Sequence, residues 1–164
     1  MAAAAGPTPA LRPVTDADAQ ELFGLLALCF ADYPGCFVDP HDDLKDLLRP
    51  GQSFPPPGGF FVIEDERGRV GACAALHFPE QGVAELHRVY VRPDLQRRGL
   101  GRRLSEAMLA RAVEAGASRM ILFSDTRFAG AHAMYQRLGF SRVGGARPLG
   151  DISNSQEYRF ERAL

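Results

Sequence analysis

Apolar residues recur along the chain at two spacings, and these spacings separate helical segments from strands. Residues 99–115 place their apolar side chains on one face at helical spacing, and Gly116 follows at a position where helices often end. Residues 83–91 are apolar on both faces, which is typical of a central strand covered on each side. The pattern therefore predicts a long helix shortly after a buried central strand.

Shorter segments on either side complete a mixed order of elements. Strands are predicted at residues 11–14, 59–64, 70–78, 83–91, 120–123, 140–143 and 156–160. Helices are predicted at residues 16–30, 40–48, 99–115 and 130–138. The second and third strands form a hairpin, whereas the proline-rich residues 50–59 form an irregular loop. Gly139 and Phe140 are expected to end the last helix with a Schellman cap.

Length and composition are those of a soluble globular protein. The 164 residues are 46% hydrophobic and 24% charged, so we expect a single domain over residues 11–164 after a disordered segment at residues 1–10. No apolar run approaches the roughly 18 residues that cross a membrane, and we expect a cytoplasmic protein without a membrane partner. The three cysteines have no CxxC spacing, so neither a disulfide framework nor a metal site is predicted.

Charge is unevenly divided along the chain. Residues 1–66 carry 3 basic and 11 acidic side chains, a net charge of −8, whereas residues 67–164 carry 16 basic and 9 acidic ones, a net charge of +7. A basic second part suits an anionic ligand, and an acidic first part suits a cationic one. A solvated surface without a ligand explains the same counts, so both interpretations stay open here.

The junction between the central strand and the long helix has the sequence RPDLQRRGLGRR, at residues 92–103. The first amides of a helix have no partner within it, and the helix dipole adds about half a positive charge there. Gly99 and Gly101 carry no Cβ to hold a phosphate away from the backbone. Four arginines add positive charge around them: Arg97, Arg98, Arg102 and Arg103. The turn therefore suits a pyrophosphate.

Spacing decides which phosphate-binding turn this is. A P-loop requires GxxxxGK followed by Ser or Thr, which is absent, and the dinucleotide motif GxGxxG fails because Leu104 takes the place of its third glycine. The remaining pattern is Gln96-x-x-Gly99-x-Gly101, after a strand that ends in Val91-x-Pro. It resembles the acyl-coenzyme-A site of the GNAT superfamily of N-acetyltransferases.

A second motif supports the resemblance. Residues 131–140, AHAMYQRLGF, are similar to the A-x-x-x-Y-x-x-x-G-F helix of that family, and the element order matches over nearly the whole chain. The resemblance implies an α/β (α+β) fold with a mixed, mostly antiparallel central sheet of about six or seven strands flanked by about four helices. It also implies that acetyl-CoA is the co-substrate and that a primary amine attacks it directly through a tetrahedral intermediate.

The resemblance further implies which residues hold the co-substrate. The amides of the turn bind the pyrophosphate, and the backbone at the end of the central strand pairs with the pantetheine arm like an extra strand. The residues concerned are Val89, Tyr90, Val91, Arg97, Arg98, Gly99, Leu100, Gly101 and Arg102.

Acetyl transfer requires a neutral amine, a stabilised oxyanion and a proton for the departing thiolate. Tyr135 occupies the position of the family's tyrosine and is the expected acid, and by the same resemblance the backbone N–H of Val89 is expected at the oxyanion. The base is open among Glu85, His87 and Asp125. Glu85 lies four residues before Val89, on the same face of a regular strand, and its apolar surroundings are expected to raise its pKa.

The acceptor is expected between two polar segments, residues 30–48 and 147–157, where the family binds its acceptor. The candidate contacts are Tyr33, Asp125, Arg147 and Asp151. Arg147 suits a carboxylate and hints at an amino acid or a peptide. Phe128 and Phe123 depart from an asparagine and a glutamate that many members carry, which argues against an enzyme for ribosomal proteins or protein N-termini.

Two other classes of function compete with an acetyltransferase for amines of small molecules, peptides or protein lysines. A non-catalytic acyl-CoA-binding module needs the turn but not Tyr135 or Glu85, so their presence favours the enzyme. A nucleic-acid-binding domain would use RRGLGRR as a basic patch, but that patch lacks interleaved aromatic residues and the net charge is −1. We therefore expect acetyl-CoA and an amine as ligands, no nucleic acid, and a monomer or homodimer.

Overall fold

A computed structural model describes residues 9–164 and shows a mixed sheet with helices on both faces. The strands are β1 (Leu11–Pro13), β2 (Gly59–Glu64), β3 (Val70–Glu80), β4 (Val83–Val91), β5 (Arg119–Asp125), β6 (Ser141–Pro148) and β7 (Gln156–Ala163). The α-helices are α1 (Ala19–Phe30), α2 (Pro50–Ser53), α3 (Leu100–Glu114) and α4 (Ala129–Arg137). The predicted disorder of residues 1–10 falls mostly on residues 1–8, which lie outside the described residues.

The strands are hydrogen-bonded in the order β1-β2-β3-β4-β5-β7-β6, and the β4–β5 pair is parallel while the other pairs are antiparallel. The predicted mixed, mostly antiparallel sheet with about four helices is confirmed. β4 and β5 pair only from Val83 to Leu86 and from Arg119 to Leu122. Because β4 continues to Val91, its last residues have no partner strand on the β5 side, and the sheet opens there.

Two apolar cores, one on each face of the sheet, hold the helices in place. α3 and α4 cover one face, where Leu104, Met108 and Phe160 are almost fully buried. α1 covers the other face with Leu22 and Leu26. Burial of one such side chain stabilises the fold by about 1.5–3 kcal/mol. β4 is therefore fixed from both sides at the point where it leaves β5.

The predicted end of the last helix is confirmed in detail. Gly139 has a φ of 90°, and the Phe140 amide donates to the Tyr135 carbonyl oxygen at 3.0 Å. The Gly139 amide donates to the Gln136 carbonyl oxygen, also at 3.0 Å. These two bonds form a Schellman motif, which satisfies the last helical carbonyls and fixes the position of Tyr135 relative to the start of β6.

Three boundary predictions are wrong. Residues 40–48 form turns and a 3-10 helix (Lys45–Leu47) instead of an α-helix: the Leu47 amide donates to the Leu44 carbonyl oxygen at 3.0 Å, because Arg88 occupies the Asp43 carbonyl oxygen that an α-helix would use. Residues 50–59 are not wholly irregular, since Pro50 begins the single turn of α2, where a missing N–H is harmless. The last hairpin is longer than predicted, because β6 reaches Pro148.

Candidate functional site

Two clefts meet where β4 and β5 diverge. The larger, of about 570 Å³, extends from the glycine turn (residues 96–102) along β4 to α4, and we call it the turn cleft. The smaller, of about 230 Å³, lies between the loop after α1 and the β6–β7 loop, and we call it the acidic cleft. Five residues line both clefts: Val89, Tyr90, Phe128, Ala131 and Tyr135. The end of β4 and the ring of Tyr135 thus form the junction.

The backbone amides of the glycine turn are free to bind a ligand. No amide from Arg97 to Arg102 donates a hydrogen bond to another described residue, and α3 begins at Leu100 without a side-chain cap. Arg97 and Gly99 have positive φ angles of 63° and 77°, which curl the chain into a concave turn. Together with the positive end of the α3 dipole, this geometry suits an anion such as a phosphate.

The two glycines of the turn have different roles. A Cβ on Gly99 would meet no atom within 4 Å, so this position requires glycine for its φ of 77°. A Cβ on Gly101 would lie 3.2 Å from the Met134 sulfur and 3.7 Å from Val91 Cγ2. Gly101 therefore lets α3 pack closely against α4 and β4, a role that the sequence did not indicate.

Arginines surround the turn cleft on two sides. Arg97 and Arg102 line it from the turn, and Arg137 lines it from α4. Arg98 is exposed and lies outside the lining residues. Sequence reasoning did not select Arg137, although its place two residues after Tyr135 in the second motif was a usable signal.

Gln96 and Cys29 both contact the end of β4. The Gln96 side-chain amide donates to the Val91 carbonyl oxygen at 3.0 Å, and Cys29 Sγ lies 3.3 Å from the same oxygen. Val89 and Tyr90 line the turn cleft and have no strand partner on the β5 side. The Val91 carbonyl oxygen is therefore already occupied. An extended ligand can pair with β4 at Val89 and Tyr90 instead.

β4 contains a bulge that the sequence pattern did not indicate. His87 pairs with Ala75, and Tyr90 pairs with Cys73, so β4 has one more residue than β3 over this interval. Arg88 lies within the interval and has a φ of 54°, which is unusual for a residue with a side chain. The bulge shifts the alternation of side chains along β4 by one residue.

This shift changes which residues share a face. Leu86 packs in the α3-side core before the bulge, and Val89 packs against the same core after it. Glu85 therefore lies on the opposite face from Val89. The expectation that these two residues share one face is wrong, because it assumed a regular strand. Both residues line the acidic cleft all the same.

Arg88 ties the bulge to the loop after α1. Its guanidinium donates to both carboxylate oxygens of Asp46, at 3.0 and 3.2 Å, and also to the Asp43 carbonyl oxygen. Leu44 and Leu47 anchor the same loop in the α1-side core. One wall of the acidic cleft is thus held against β4 by an ion pair and by apolar packing.

Tyr135 is a buried side chain at the junction of the clefts. Its ring lies 5.9 Å from the Phe140 ring and 6.1 Å from the Phe160 ring, measured between centroids. No described residue hydrogen-bonds its hydroxyl group. Burial raises the pKa of Tyr135 well above its ordinary value of about 10, so the phenol stays protonated at neutral pH.

Glu85 is ionised at neutral pH, contrary to the expected direction of its pKa shift. Burial by itself raises the pKa of Glu85, but the nearby His87, His77 and Arg147 lower it by more, so that the pKa falls below its ordinary value. His87 Nε2 lies 3.1 Å from a Glu85 carboxylate oxygen without hydrogen-bond geometry. The contact is therefore electrostatic, and both groups remain able to bind a ligand.

Asp125, the third candidate base, is occupied by its neighbours. Arg127 donates to both of its carboxylate oxygens, at 2.9 Å through Nε and 2.7 Å through Nη2, and also from its backbone amide. Burial raises the pKa of Asp125, but the bonds from Arg127 and a smaller effect of Ser155 outweigh it, so the net shift is downward. Asp125 lines the acidic cleft as a neutralised carboxylate.

The other predicted acceptor contacts are only partly brought together. Arg147 and Asp151 line the acidic cleft, whereas Tyr33 lines the turn cleft, with its ring 4.7 Å from that of Phe128. The Arg147 guanidinium lies 3.6 Å above the Phe123 ring. Asp151 accepts hydrogen bonds from the amide and hydroxyl of Ser155 and so shapes the β6–β7 loop.

Three further carboxylates line the acidic cleft: Asp39, Asp43 and Glu157. All three belong to the two polar segments where the acceptor is expected, and Asp39 and Asp43 are among the acidic residues of the first segment that suit an amine. Among residues 9–164, no group of three or more His, Cys, Asp or Glu side chains is arranged to hold a metal ion. No helix in the same range is long and apolar enough to cross a membrane.

Comparison with protein families finds one match that covers most of the chain. The model of the acetyltransferase (GNAT) family matches residues 20–140. Among curated proteins, the mycothiol acetyltransferase of Beutenbergia cavernae is 29% identical over 130 residues, which are 79% of this chain and 43% of that protein. The chain thus spans less than half the length of this relative.

Solved structures show the same fold. A GNAT-family acetyltransferase from Staphylococcus aureus Mu50 superposes with a TM-score of 0.80 at 16% identity, covering 96% of this chain and 99% of the other. The protein yncA of Salmonella typhimurium, solved with its cofactor acetyl-CoA, gives a TM-score of 0.71 at 19% identity, with coverage of 96% and 95%. At such identities the likeness establishes the fold alone.

Proposed function

Because the chain belongs to the acetyltransferase (GNAT) family, we propose that it transfers the acetyl group of acetyl-CoA to a primary amine. The observation that carries this proposal is the meeting of two clefts of opposite character at Tyr135 and Val89. The turn cleft combines free amides with arginines and suits the phosphates of acetyl-CoA. The acidic cleft is lined by carboxylates and suits a cationic amine.

The turn cleft fits acetyl-CoA along its length. The amides of residues 97–102 face no protein acceptor and can bind the pyrophosphate, with Arg97, Arg102 and Arg137 adding charge. The free edge of β4 at Val89 and Tyr90 can pair with the amides of the pantetheine arm. The thioester then lies near the junction of the two clefts.

Three groups at the junction supply the chemistry. The ionised Glu85 accepts a proton from the incoming ammonium group, which leaves a neutral amine to attack the thioester. The backbone N–H of Val89 stabilises the oxyanion that forms. Tyr135, which is protonated, gives its proton to the departing thiolate, and its position lining both clefts supports this role.

Among the three candidate bases, Glu85 is the best supported. Asp125 is held by Arg127 on both oxygens and would have to break an ion pair to accept a proton. His87 lies beside Glu85 and shares its cleft, so it can help to pass the proton on. Glu85 contacts His87 at 3.1 Å, but unlike Asp125 it is not held on both carboxylate oxygens by an arginine.

Ligand-induced stabilisation and thiol release test the proposal together. Acetyl-CoA and CoA at 100 times their Kd should stabilise the protein by about 2.7 kcal/mol, which raises Tm by about 5–10 °C, whereas NADPH and single-stranded DNA should not. Acetyl-CoA with a panel of amines should then release free thiol. No stabilisation by either CoA compound would refute the cofactor site. Stabilisation without thiol release for any amine would indicate an acyl-CoA-binding module instead.

A further inference from the structure

Ser124 is a buried polar residue that lines the acidic cleft and that the proposed reaction does not use. Its relative exposure is 8%, and it lines the cleft together with Val89 and Tyr135. It lies on β5 two residues after Leu122, the last residue of that strand that pairs with β4. The serine therefore lies at the opening where the two strands diverge.

One side of Ser124 is occupied by His132 of α4. The Nε2 atom of His132 lies 3.1 Å from Ser124 Oγ and 2.9 Å from the backbone carbonyl oxygen of Asp125. The imidazole ring packs against the rings of Tyr158 and Phe160, at 5.5 and 5.3 Å between centroids, and lines neither cleft. His132 thus lies behind Ser124 as seen from the acidic cleft.

The direction of these hydrogen bonds follows from the chemistry of the three atoms. A carbonyl oxygen can only accept, so the Nε2 atom of His132 carries the hydrogen that it shares with Asp125. The same N–H donates to Ser124 Oγ. Burial is the largest cause of the lowered pKa of His132, which keeps the ring neutral near pH 7. The Ser124 oxygen is thus occupied as an acceptor.

The hydroxyl hydrogen of Ser124 is left without an acceptor among the described residues. The only partner of the hydroxyl group in residues 9–164 is the N–H of His132, which already donates to it. Polar groups buried to this degree are normally hydrogen-bonded, so an unused donor requires an explanation. Because Ser124 lines the acidic cleft, its hydrogen is available to a ligand there.

The register of the sheet places Ser124 level with Val89. Leu86 and Leu122 are the last paired residues of β4 and β5, and Ser124 lies two positions beyond Leu122. Val89 lies three residues beyond Leu86, but Arg88 is the extra residue of the bulge, so Val89 is also two positions along. Leu122 and Val89 pack against the α3-side core, and Ser124 faces the same side because it alternates with residue 123. Ser124 and Val89 therefore lie on the two sides of the opening.

Resting on the proposed acetyl transfer, we propose that Ser124 is a second hydrogen-bond donor to the oxyanion, across the opening from the backbone N–H of Val89, and that His132 is its positioning residue. Attack of the amine moves the carbonyl electron pair of the thioester onto oxygen, where both donors bind it. Ser124 keeps its proton throughout, and the electron pair returns as the C–S bond breaks. Tyr135 remains the donor to sulfur.

His132 acts by fixing the direction of the serine hydroxyl. A hydroxyl group rotates about its C–O bond to suit its partners. With its oxygen bound by the His132 N–H, the hydrogen of Ser124 points away from α4 and into the cleft. A donor that is oriented before the reaction needs no reorganisation when negative charge develops, which is the source of its catalytic effect.

Replacement of Ser124 by alanine tests the second donor. We expect the single-turnover rate of thiol release to fall by about 100-fold for every amine, since loss of one oxyanion donor costs about 10²–10³-fold. Kd for CoA and the half-saturating amine concentration should stay within about twofold, because the bond forms only as charge develops. Ser124→Cys keeps the size of the side chain with a much weaker donor and should be nearly as slow.

Ser118→Ala is the matched control. Ser118 immediately precedes β5 at its other end, donates to the Gly82 carbonyl oxygen at 3.2 Å and lines neither cleft. Loss of this hydroxyl should leave the rate of thiol release unchanged.

The tautomer of His132 can be measured without any substrate. ¹⁵N NMR of the free protein near neutral pH should show a neutral ring with its hydrogen on Nε2. His132→Phe assigns the signals among the four histidines of the chain. A ring with its hydrogen on Nδ1 would contradict the proposal, since Nε2 would then accept the Ser124 hydrogen and leave no donor for the cleft.

Variants of His132 test whether it acts through the serine. His132→Phe keeps an aromatic ring against Tyr158 and Phe160 but loses the N–H, so thiol release should slow by about tenfold, less than for loss of the donor itself, and Tm should change little. His132→Gln retains an N–H donor and should recover part of the rate. The double variant Ser124→Ala, His132→Phe should be no slower than Ser124→Ala alone.

Three outcomes would overturn the proposal while acetyl transfer stands. An unchanged rate in Ser124→Ala would remove the second donor, and a loss confined to the half-saturating concentration of some amines would make Ser124 a contact of the acceptor instead. Additive losses in the double variant would remove His132 as its positioning residue. If the unmodified protein releases no thiol above background with any amine, the proposed function fails first, and the thermal shift with acetyl-CoA shows at which step.

Discussion

Glu85 and Tyr135 hold opposite protonation states across the neutral range, and their surroundings reinforce these states by lowering the pKa of Glu85 and raising the pKa of Tyr135. Nearby histidines and Arg147 keep Glu85 ionised, whereas burial without a polar partner keeps Tyr135 protonated. A carboxylate and a phenol shifted apart in this way are already in the states that a general base and a general acid need. This pairing supports their assignment more strongly than either residue does alone.

Replacement of Tyr135 by phenylalanine tests the acid directly. The variant removes one oxygen from a ring that stays packed against Phe140 and Phe160. We expect kcat to fall by about 100-fold or more, since general acid catalysis typically contributes about 10²–10⁴-fold. KM for acetyl-CoA and Tm should change little, because no described residue bonds the hydroxyl. Steady-state thiol release and a thermal melt measure these quantities.

Tyr158→Phe is the matched control for this experiment. Tyr158 lies below the Arg142 guanidinium at 4.2 Å and lines neither cleft. Its loss should leave kcat unchanged. Equal kcat values for Tyr135→Phe and the unmodified protein would remove Tyr135 from the mechanism and leave the thiolate to be protonated by water or by another group.

At the scale of elements, the site arises because three structures coincide at the end of one strand. β4 loses its partner β5 after Leu86, bulges at Arg88, and ends shortly before the turn that starts α3. The lost pairing leaves one backbone edge of β4 without a partner, the bulge puts Glu85 and Val89 on opposite faces of the strand, and the turn supplies free amides. These three features lie next to one another, and together they form the walls where the two clefts meet.

The conformation of the glycine turn can be tested separately from its charge. Gly99→Ala forces an L-residue into a φ of 77°, which costs about 1–2 kcal/mol, and the turn can escape this strain only by reorienting its amides. We expect Kd for CoA to rise by about tenfold, the equivalent of about 1.4 kcal/mol. Gly99→Asn should retain more affinity, because asparagine tolerates positive φ better. Isothermal titration calorimetry measures both.

Gly68→Ala separates strain from ligand binding. Gly68 has a φ of 74° and, like Gly99, no atom within 4 Å of an added Cβ, but it lies in the β2–β3 turn. Gly68→Ala introduces the same backbone strain as Gly99→Ala, so both variants should lower Tm by a similar amount. Gly68→Ala should leave the Kd for CoA unchanged. Unchanged Kd in Gly99→Ala would show that the amides of the turn do not hold the co-substrate.

At the scale of the whole molecule, the sequence predicts what local patterns determine and misses what distant contacts determine. The order of elements along the chain, the helix after β4 and the Schellman end at Gly139 follow from periodicity and from residue types that tolerate few conformations. The bulge at Arg88 was missed because residues 83–91 have the pattern of a continuous central strand, and the contact that holds Arg88 in place is with Asp46, 42 residues away. The bond between Phe37 and Ser153 spans 116 residues, so the walls of the acidic cleft depend on tertiary structure that no local signal encodes.

One ion-pair cluster links the edge of the sheet to the start of α1 and therefore affects the stability of the whole fold. Arg12 of β1 donates to both carboxylate oxygens of Asp18 at 2.9 Å and to Glu64 of β2 at 2.8 Å. The Thr15 amide also donates to Asp18, at 2.8 Å. The bonds from Arg12, followed by that from Thr15, outweigh burial and lower the pKa of Asp18 in the folded protein.

The acid sensitivity of this cluster has a defined sign. Because the pKa of Asp18 is lower in the folded than in the unfolded chain, its contribution is present above the unfolded value of about 3.9 and is lost as pH falls through the folded value. Asp18→Asn should therefore lower Tm at pH 7 by about 4–8 °C, equivalent to about 2 kcal/mol for hydrogen bonds to a charged group. The difference in Tm between this variant and the unmodified protein should stay constant down to about pH 5 and become smaller below pH 4.

Asp42→Asn is the control, because Asp42 is exposed and its side chain has no bonded partner in residues 9–164. This variant should have the same Tm as the unmodified protein at every pH. A difference in Tm between Asp18→Asn and the unmodified protein that grows as pH falls would contradict this prediction. It would mean that the folded protein stabilises the protonated form of Asp18.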